Sequence, residues 1–94
     1  MPATVIDNPD RSRYEARIDR DTVGYCQYEQ REHYFDLPHT VVRPEHRGRG
    51  IADQLVRTAL DDLRARGVHV KPTCGYVQHW LTKHPEYNDM VHKE

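Results

Sequence analysis

The clearest pattern of hydrophobic and polar residues is a helical stripe in the second half of the chain. Apolar residues recur three or four positions apart from Ile51 to Leu63, and the pattern stops before Gly67, a residue typical of helix ends. A second stripe predicts another helix from about 75 to 84, before Pro85. Its predicted apolar face consists of Tyr76, Val77, Trp80 and Leu81.

In the first half, apolar and polar residues alternate in short runs, as they do in half-buried strands. The five predicted strands are 3–7, 13–18, 23–30, 32–42 and 68–72. The first three form an antiparallel meander in this prediction, with Tyr14, Ala16 and Ile18 inward and the neighbouring charges outward. Pro38 cannot donate to a strand ladder, so we expect a bulge or an edge in the middle of the fourth strand. The fifth strand follows a helix and is expected to run parallel to the fourth.

These elements predict one α+β domain over residues 1–94, with a mixed five-stranded sheet and two helices in the order β-β-β-β-α-β-α. A chain of this length buries a modest core, so its functional site is expected at the surface. The same reasoning is compatible with a monomer or a homodimer.

The charge and hydrophobicity of the chain indicate which classes of binding partner are disfavoured. The chain has 14 basic and 15 acidic residues, a net charge of −1, which does not favour nucleic-acid binding. No apolar run approaches the roughly 18 residues that span a bilayer, and residues 1–10 lack the basic and apolar regions of a signal peptide. We therefore expect a cytoplasmic protein with no membrane contact, in which Cys26 and Cys74 are free thiols. The histidines show no metal-binding spacing, so no metal site is predicted.

The start of the first helix is unusual because it follows Arg47-Gly48-Arg49-Gly50 and not a Ser, Thr, Asp or Asn cap. The first amides of a helix have no internal acceptor and carry part of the positive end of its dipole. An anion accepts hydrogen bonds from these amides and also compensates the positive charge. Glycines let the backbone come close to a bulky ligand, and arginine side chains pair well with phosphate. This stretch predicts a phosphate-bearing ligand. Alternatively, it is only a flexible turn, and Asp53 supplies the negative charge.

Two common phosphate loops do not fit. The pattern GxxxxGK[ST] is absent, and GxGxxG fails because Asp53 stands where its third glycine would be. Nucleotide hydrolysis and dinucleotide redox chemistry are therefore not expected.

The residues Arg47-Gly48-Arg49-Gly50-Ile51-Ala52 match the diphosphate motif [QR]-x-x-G-x-[GA] of the GNAT superfamily of acetyl-CoA-dependent N-acyltransferases. The longer stretches "HTVVRPEHRGRGIADQLV", "ARGVHVKPTCGYV" and "KHPEYNDMV" resemble a branch of small stand-alone GNAT-like domains. Together they span residues 39–91.

The resemblance implies that acetyl-CoA lies between the fourth and fifth strands. Its pantetheine arm would pair with strand four, its diphosphate would bind the glycine-rich turn, and its 3′-phosphate would approach Lys83. The implied cofactor-binding residues are Thr40, Val41, Val42, Arg47, Gly48, Arg49, Gly50, Ile51, Ala52 and Lys83.

Acetyl transfer to an amine needs a base for the amine proton and an acid for the departing sulfur. His39, at the expected bulge, is the candidate base. Cys74, at the start of the last helix, is the candidate acid or transient acyl carrier, because thiols ionise more readily at helix N-termini. The alternatives are that Cys74 is a small buried side chain and that His39 is a structural strand residue.

Two departures from the family pattern bear on function. Many GNAT enzymes carry a general-acid Tyr on the last helix, where this chain has Leu81. Larger members also have helices between their first strands that wall the acceptor site, and here the residues around 7–14 suffice only for a turn. The acceptor pocket is therefore expected to be open.

The first hypothesis is an acetyl-CoA-dependent acyltransferase with a small-molecule or protein amine as acceptor. The alternative is a non-catalytic acetyl-CoA-binding module or one that is acetylated on its own Cys74. A third interpretation, a general anion or nucleic-acid contact at the glycine-rich turn, agrees poorly with the near-neutral charge.

Overall fold

A computed structural model describes residues 3–93 of the chain. Its strands are β1 (Thr4–Asn8), β2 (Arg13–Ile18), β3 (Asp21–Gln27), β4 (Glu29–Gln30), β5 (Phe35–Leu37), β6 (Thr40–Val42) and β7 (Val70–Pro72). The helices are α1 (Ile51–Ala65) and α2 (Gly75–Lys83), and short 3-10 turns occupy Pro9–Arg11, Pro44–His46 and Pro85–Met90. The predicted α+β class is confirmed.

The strands form two sheets where one was expected. An antiparallel sheet has the order β1-β2-β3-β6, and a smaller sheet has the order β4-β5-β7. The predicted fourth strand is divided at Pro38 and His39 into β5 and β6, which belong to different sheets. Because proline has no amide hydrogen, the ladder breaks at this point. The parallel pairing expected across the first helix occurs between β5 and β7.

Helix α1 packs on one face of the four-stranded sheet. Its predicted stripe is buried at Ile51, Leu55, Val56, Ala59, Leu60 and Leu63, while Ala52 is half-buried. Full burial of one such aliphatic side chain contributes about 1.5 to 3 kcal/mol, so this stripe holds the helix in place. From the sheet, Tyr14, Ala16 and Cys26 complete the core.

Helix α2 differs from the prediction at one residue. Val77, Trp80 and Leu81 are buried, but Tyr76 is 38% exposed and lies outside the core. The buried residues follow the i, i+3, i+4 spacing of one helical face, and Tyr76 precedes that face by about 100° of rotation. The indole Nε1 of Trp80 donates to Asp53 Oδ1 at 2.7 Å, which ties α2 to the first turn of α1.

Glu15 is also different from expectation, because it was predicted to face outward and is buried. Its carboxylate accepts hydrogen bonds from Arg13 and Arg17, each at 2.7 Å. Burial alone would raise the pKa of Glu15, but these hydrogen bonds outweigh it and lower the pKa to about 2. The two guanidinium groups therefore offset the cost of burying the Glu15 carboxylate, which lies on the sheet face opposite α1.

Within residues 3–93, no helix has the length and hydrophobicity required to cross a bilayer.

Candidate functional site

The first turn of α1 starts without any side-chain cap. Gly50, its N-cap residue, has φ 76° and makes no capping side-chain bond, and Gly48 has φ 80°. Both angles fall in the left-handed region that favours glycine. The first helical hydrogen bond joins Gln54 N to Gly50 O at 3.0 Å, so the amides of residues 51–53 have no acceptor inside the helix.

A cavity of about 280 Å³ opens at this helix start and is called the α1 cavity below. Its lining residues are Val42, His46, Arg47, Gly48, Gly50, Ile51, Ala52, Asp53 and Tyr76. Six of these are among the cofactor-binding residues predicted from the sequence, and the other three, His46, Asp53 and Tyr76, are not. The glycine-rich turn thus borders a real concavity.

Two of these additional residues carry polar groups suited to a ligand. His46 Nδ1 is buried and has no hydrogen-bond partner in the described part of the chain. Burial, followed by the charge of Asp53, raises the pKa of Tyr76, so its phenol holds its proton and is a hydrogen-bond donor. The phenol can donate a hydrogen bond to a ligand, and the unpaired imidazole nitrogen can form one according to its tautomer.

Asp53 was considered as the residue that supplies negative charge to the helix start. Its carboxylate accepts the Trp80 hydrogen bond and lies 3.9 Å from Arg57 and 3.9 Å from His84. Asp53 thus lies in the first turn, where its charge favours the helix dipole, but it does not cap the free amides. Those amides remain open toward the α1 cavity.

Strand β6 provides a second open feature. Gln27 N donates to His39 O and Arg43 N donates to Val23 O, both at 2.8 Å, so residues 39 and 43 point their main-chain groups at β3. By alternation, the main-chain groups of Thr40 and Val42 point away from β3. Because β6 is the last strand of its sheet, no strand within residues 3–93 pairs with these groups, and they form an open edge, called the β6 edge below.

Gly24 allows this arrangement and was not identified in the sequence. A Cβ at Gly24 would lie 2.8 Å from Val41 O and 3.3 Å from both Leu55 Cδ1 and Val42 Cγ2. Only glycine therefore lets β6 and α1 approach β3 so closely. A glycine inside a strand pattern is the sequence signal that could have indicated this close contact.

One candidate catalytic residue, His39, lies in the break between β5 and β6, and the other, Cys74, lies beside that break. Cys74 is the N-cap residue of α2, is half-buried, and its amide donates to Leu37 O at 3.0 Å. Its Sγ lies 3.7 Å from the hydroxyl of Thr40. His39 is exposed, and alternation along the strand puts its side chain on the opposite sheet face from Thr40.

Four of the ten predicted cofactor-binding residues do not line the α1 cavity: Thr40, Val41, Arg49 and Lys83. Val41 is 42% exposed and Arg49 is also exposed, although both belong to segments that border the cavity. Lys83 is exposed at the last residue of α2, about 13 Å along that helix from Cys74. Leu81, which takes the place of the expected Tyr, is buried and supplies no proton donor.

Most of the chain, including both helices, matches a known protein family. Residues 13–90 match the family model described as GCN5-related N-acetyl-transferase. The chain belongs to this family. The match covers both helices and every strand except β1, so the resemblance stated from the sequence is confirmed.

Curated relatives extend the comparison. The chain is 40% identical to protein NATD1 of Bos taurus over 50 residues, which are 53% of this chain and 44% of that protein. It is 34% identical to NATD1 of Danio rerio over 58 residues, or 60% and 53% of the two chains. The chain thus spans about half the length of the curated relatives it matches.

Solved structures agree on the fold. A GCN5-like protein from Staphylococcus aureus has a TM-score of 0.73 at 16% identity, with 97% of this chain and 89% of that chain covered. A ribosomal-protein-alanine N-acetyltransferase from Brucella melitensis has a TM-score of 0.61 at 21% identity, covering 92% and 66%. At these identities the comparison shows a shared GNAT fold.

The family generally uses acetyl-CoA, and the residues present suit that group. The open amides, the arginines beside them and the unsatisfied His46 nitrogen match a diphosphate, and the β6 edge matches an amide-containing arm. Among residues 3–93, no three His, Cys, Asp or Glu side chains are grouped closely enough to hold a metal ion.

Proposed function

We propose that this protein is an acetyl-CoA-dependent acyltransferase that transfers an acetyl group to an amine, either on a small molecule or on a protein. The observation that carries the proposal is the α1 cavity at an uncapped helix start, next to the unpaired β6 edge. Both features expose main-chain donors that the fold itself leaves unsatisfied. Such donors are costly unless solvent or a ligand pairs with them.

In this proposal the amides of residues 48–52 bind the diphosphate, and Arg47 and Arg49 add charge-assisted hydrogen bonds. His46 and Tyr76 face the same ligand from the cavity wall. Thr40, Val41 and Val42 hold the pantetheine arm as an additional strand would be held, with the outward main-chain groups making the hydrogen bonds. Lys83 contacts the 3′-phosphate.

When bound, acetyl-CoA supplies an activated thioester. His39 accepts the proton that the attacking amine loses, and the Cys74 S–H protonates the departing sulfur. In the covalent route, the Cys74 thiolate would take the acetyl group, and CoA would leave as a thiolate that takes a proton from solvent. The amine would then displace Cys74 from its thioester and lose its proton to His39. Because His39 lies in the break between β5 and β6 and Cys74 approaches it from the opposite sheet face, they can act on opposite sides of one bound thioester.

A second function is favoured by one specific observation. Leu81 occupies the position of the expected general acid and is buried among apolar side chains. A protein without that acid would bind acetyl-CoA without turnover, or would be acetylated once on Cys74. This alternative uses the same cofactor-binding residues.

The test combines calorimetry with product analysis. Acetyl-CoA is titrated into the protein, and CoA release is then followed by chromatography with small amines, amino acids and peptides as acceptors. Saturable binding with amine-dependent CoA release supports the transferase. Binding with a stable acetyl group on Cys74, detected by mass spectrometry, supports the alternative. Absence of binding at millimolar acetyl-CoA would overturn both.

A cytoplasmic location belongs to the same proposal, because Cys26 and Cys74 are both free and acetyl-CoA is a metabolite of reducing compartments. The prediction of a monomer or a homodimer stays a prediction.

A further inference from the structure

Three side chains from three separate elements form a continuous contact between the core and the candidate site. Cys26 lies on β3, Thr40 on β6 and Cys74 at the start of α2. Thr40 Oγ1 donates to Cys26 Sγ at 3.8 Å, and Cys74 Sγ donates to Thr40 Oγ1 at 3.7 Å. Cys26 and Thr40 are direct cross-strand partners, so the sheet register holds this contact.

The two thiols have different environments. Cys26 is fully buried, and burial raises the pKa of its thiol to about 11, so it keeps its proton at neutral pH. Cys74 is half-buried and lies at the N-cap of α2, so its sulfur is accessible to a reagent from solvent. Of the two, only Cys74 is placed to react.

We propose that Thr40 is a positioning residue whose hydroxyl, held by the buried thiol of Cys26, orients Cys74 and hydrogen-bonds the Cys74 thiolate. This inference rests on the proposed function only in treating Cys74 as the reactive group. It assigns to the Thr40 side chain a role separate from that of its main chain, which faces the β6 edge.

The proposed change removes one proton from the three groups, and that proton goes from Cys74 to a base in solution. With Cys74 protonated, its S–H donates to Thr40 and the Thr40 O–H donates to Cys26. When Cys74 loses its proton to a base in solution, the hydroxyl turns to donate to the thiolate, and the Cys26 S–H turns to donate to Thr40. Two donors rotate, no proton moves between the three residues, and the thiolate gains a charge-assisted hydrogen bond.

Other titratable groups reach Cys74, and they are the same in the wild type and in both Thr40 variants below. Cys26 and Tyr76 interact electrostatically with it, from β3 and from α2 itself. Asp36 on β5 accepts a hydrogen bond from Thr73, the residue before Cys74. His39 directly precedes Thr40 in the chain. A change at the Thr40 hydroxyl can therefore be measured against a constant electrostatic background.

The experiment is the pH profile of Cys74 alkylation by iodoacetamide in the full chain, followed by mass spectrometry without acetyl-CoA. Thr40→Val removes the hydroxyl and keeps the shape, and Thr40→Ser is the matched control that keeps the hydroxyl. We expect Thr40→Val to move the profile upward by about one pH unit, a roughly tenfold slower reaction at neutral pH. Thr40→Ser should restore most of the wild-type profile.

Cys26→Ala is a second, independent variant, because it removes the anchor of the hydroxyl and leaves Thr40 in place. We expect a smaller upward move, about 0.3 to 0.5 pH units, since the hydroxyl is retained but less well held. Circular dichroism checks that each variant is folded.

Two results would overturn the inference. One is a Thr40→Val profile that superimposes on that of the wild type, and the other is a Thr40→Ser profile displaced as far as that of Thr40→Val. Because the measurement uses no acetyl-CoA, failure here leaves the proposed function standing. Failure of acetyl-CoA binding likewise leaves this measurement interpretable.

Discussion

The two helices begin without a capping hydrogen bond, yet their first turns are built differently. The N-cap of α1 is Gly50, in the left-handed conformation and without a side chain. The N-cap of α2 is Cys74, in the extended conformation with φ −77° and ψ 128°, which is the usual backbone of a capping residue. The start of α1 therefore lacks a cap because of its backbone conformation and missing side chain, whereas the start of α2 lacks one because of the chemistry of its side chain.

This comparison shows two ways to leave a helix start available for chemistry. At α1, glycine removes the side chain, and the amides face a cavity large enough for a ligand. At α2, a side chain is present in capping geometry, but a thiol is a weak acceptor, and this one contacts Thr40. The first arrangement suits binding of an anion, and the second suits a reactive group.

The largest expected effect is at the start of α1. Gly50→Val should lower acetyl-CoA affinity by at least about 300-fold, roughly 3.4 kcal/mol, because the branched side chain occupies the α1 cavity and resists the left-handed backbone. Calorimetry on the folded variant measures the loss.

Gly67→Val is the matched control for that change. Gly67 has φ 75°, and a Cβ there, as at Gly50, meets no atom within 4 Å. Gly67→Val should therefore cost similar stability and leave acetyl-CoA binding unchanged. Equal affinities of the two variants would contradict the assignment of the α1 cavity.

The next effect is at the start of α2. Cys74→Ala should reduce amine-dependent CoA release about 100-fold, the scale of one lost acid–base group. Acetyl-CoA affinity should change less than about twofold, because the diphosphate contacts lie at α1. A Cys74→Ala protein with the wild-type transfer rate would exclude a catalytic role for this thiol.

A serine at each N-cap tests the backbone difference directly. Cys74→Ser should increase the free energy of unfolding by about 0.5 to 1 kcal/mol, because a hydroxyl caps a helix well from an extended residue. Gly50→Ser should decrease it by about 1 kcal/mol, because a side chain is disfavoured at a left-handed backbone. Urea denaturation measures both, and changes of the same sign would show that the two starts are equivalent.

The smallest effect concerns the acidic residue in the wall of the α1 cavity. Asp53→Asn should strengthen acetyl-CoA binding about threefold at low salt, because it removes a negative charge near the diphosphate, and the gain should fade at high salt.

Asp61→Asn is the control for this change. Asp61 also accepts a hydrogen bond from an aromatic side chain, Tyr87 at 2.6 Å, but it lies about 12 Å further along α1. The affinity of the Asp61→Asn variant for acetyl-CoA should match that of the wild type. A similar gain in both variants would indicate a general charge effect and not one specific to the cavity.

Much of the fold could be predicted because its pattern is local. The apolar spacing from Ile51 to Leu63 predicted α1 and its buried face, and alternation predicted the three strands of the meander. The uncapped turn before Ile51 predicted where a ligand would meet the chain. Each of these depends on residues within a few positions of one another.

Other features were missed because they depend on residues that are distant in sequence. Glu15 has an outward-facing pattern, but two arginines make its burial favourable. Tyr76 has the spacing of a core residue, but the stripe that begins at Val77 faces the core instead. Pro38 indicated a break in a strand, and only the pairing with β3 and β7 shows that its two halves join different sheets.

By itself, the sequence determined the kinds of element, the glycine-rich uncapped start of α1 and the family of the chain, because propensity, periodicity and motif are local properties. Only the tertiary structure decided that β6 ends its sheet with an open edge and that the Thr40 hydroxyl lies between Cys26 and Cys74. Those contacts join β3, β6 and α2, so they exist only once packing has brought separate segments together.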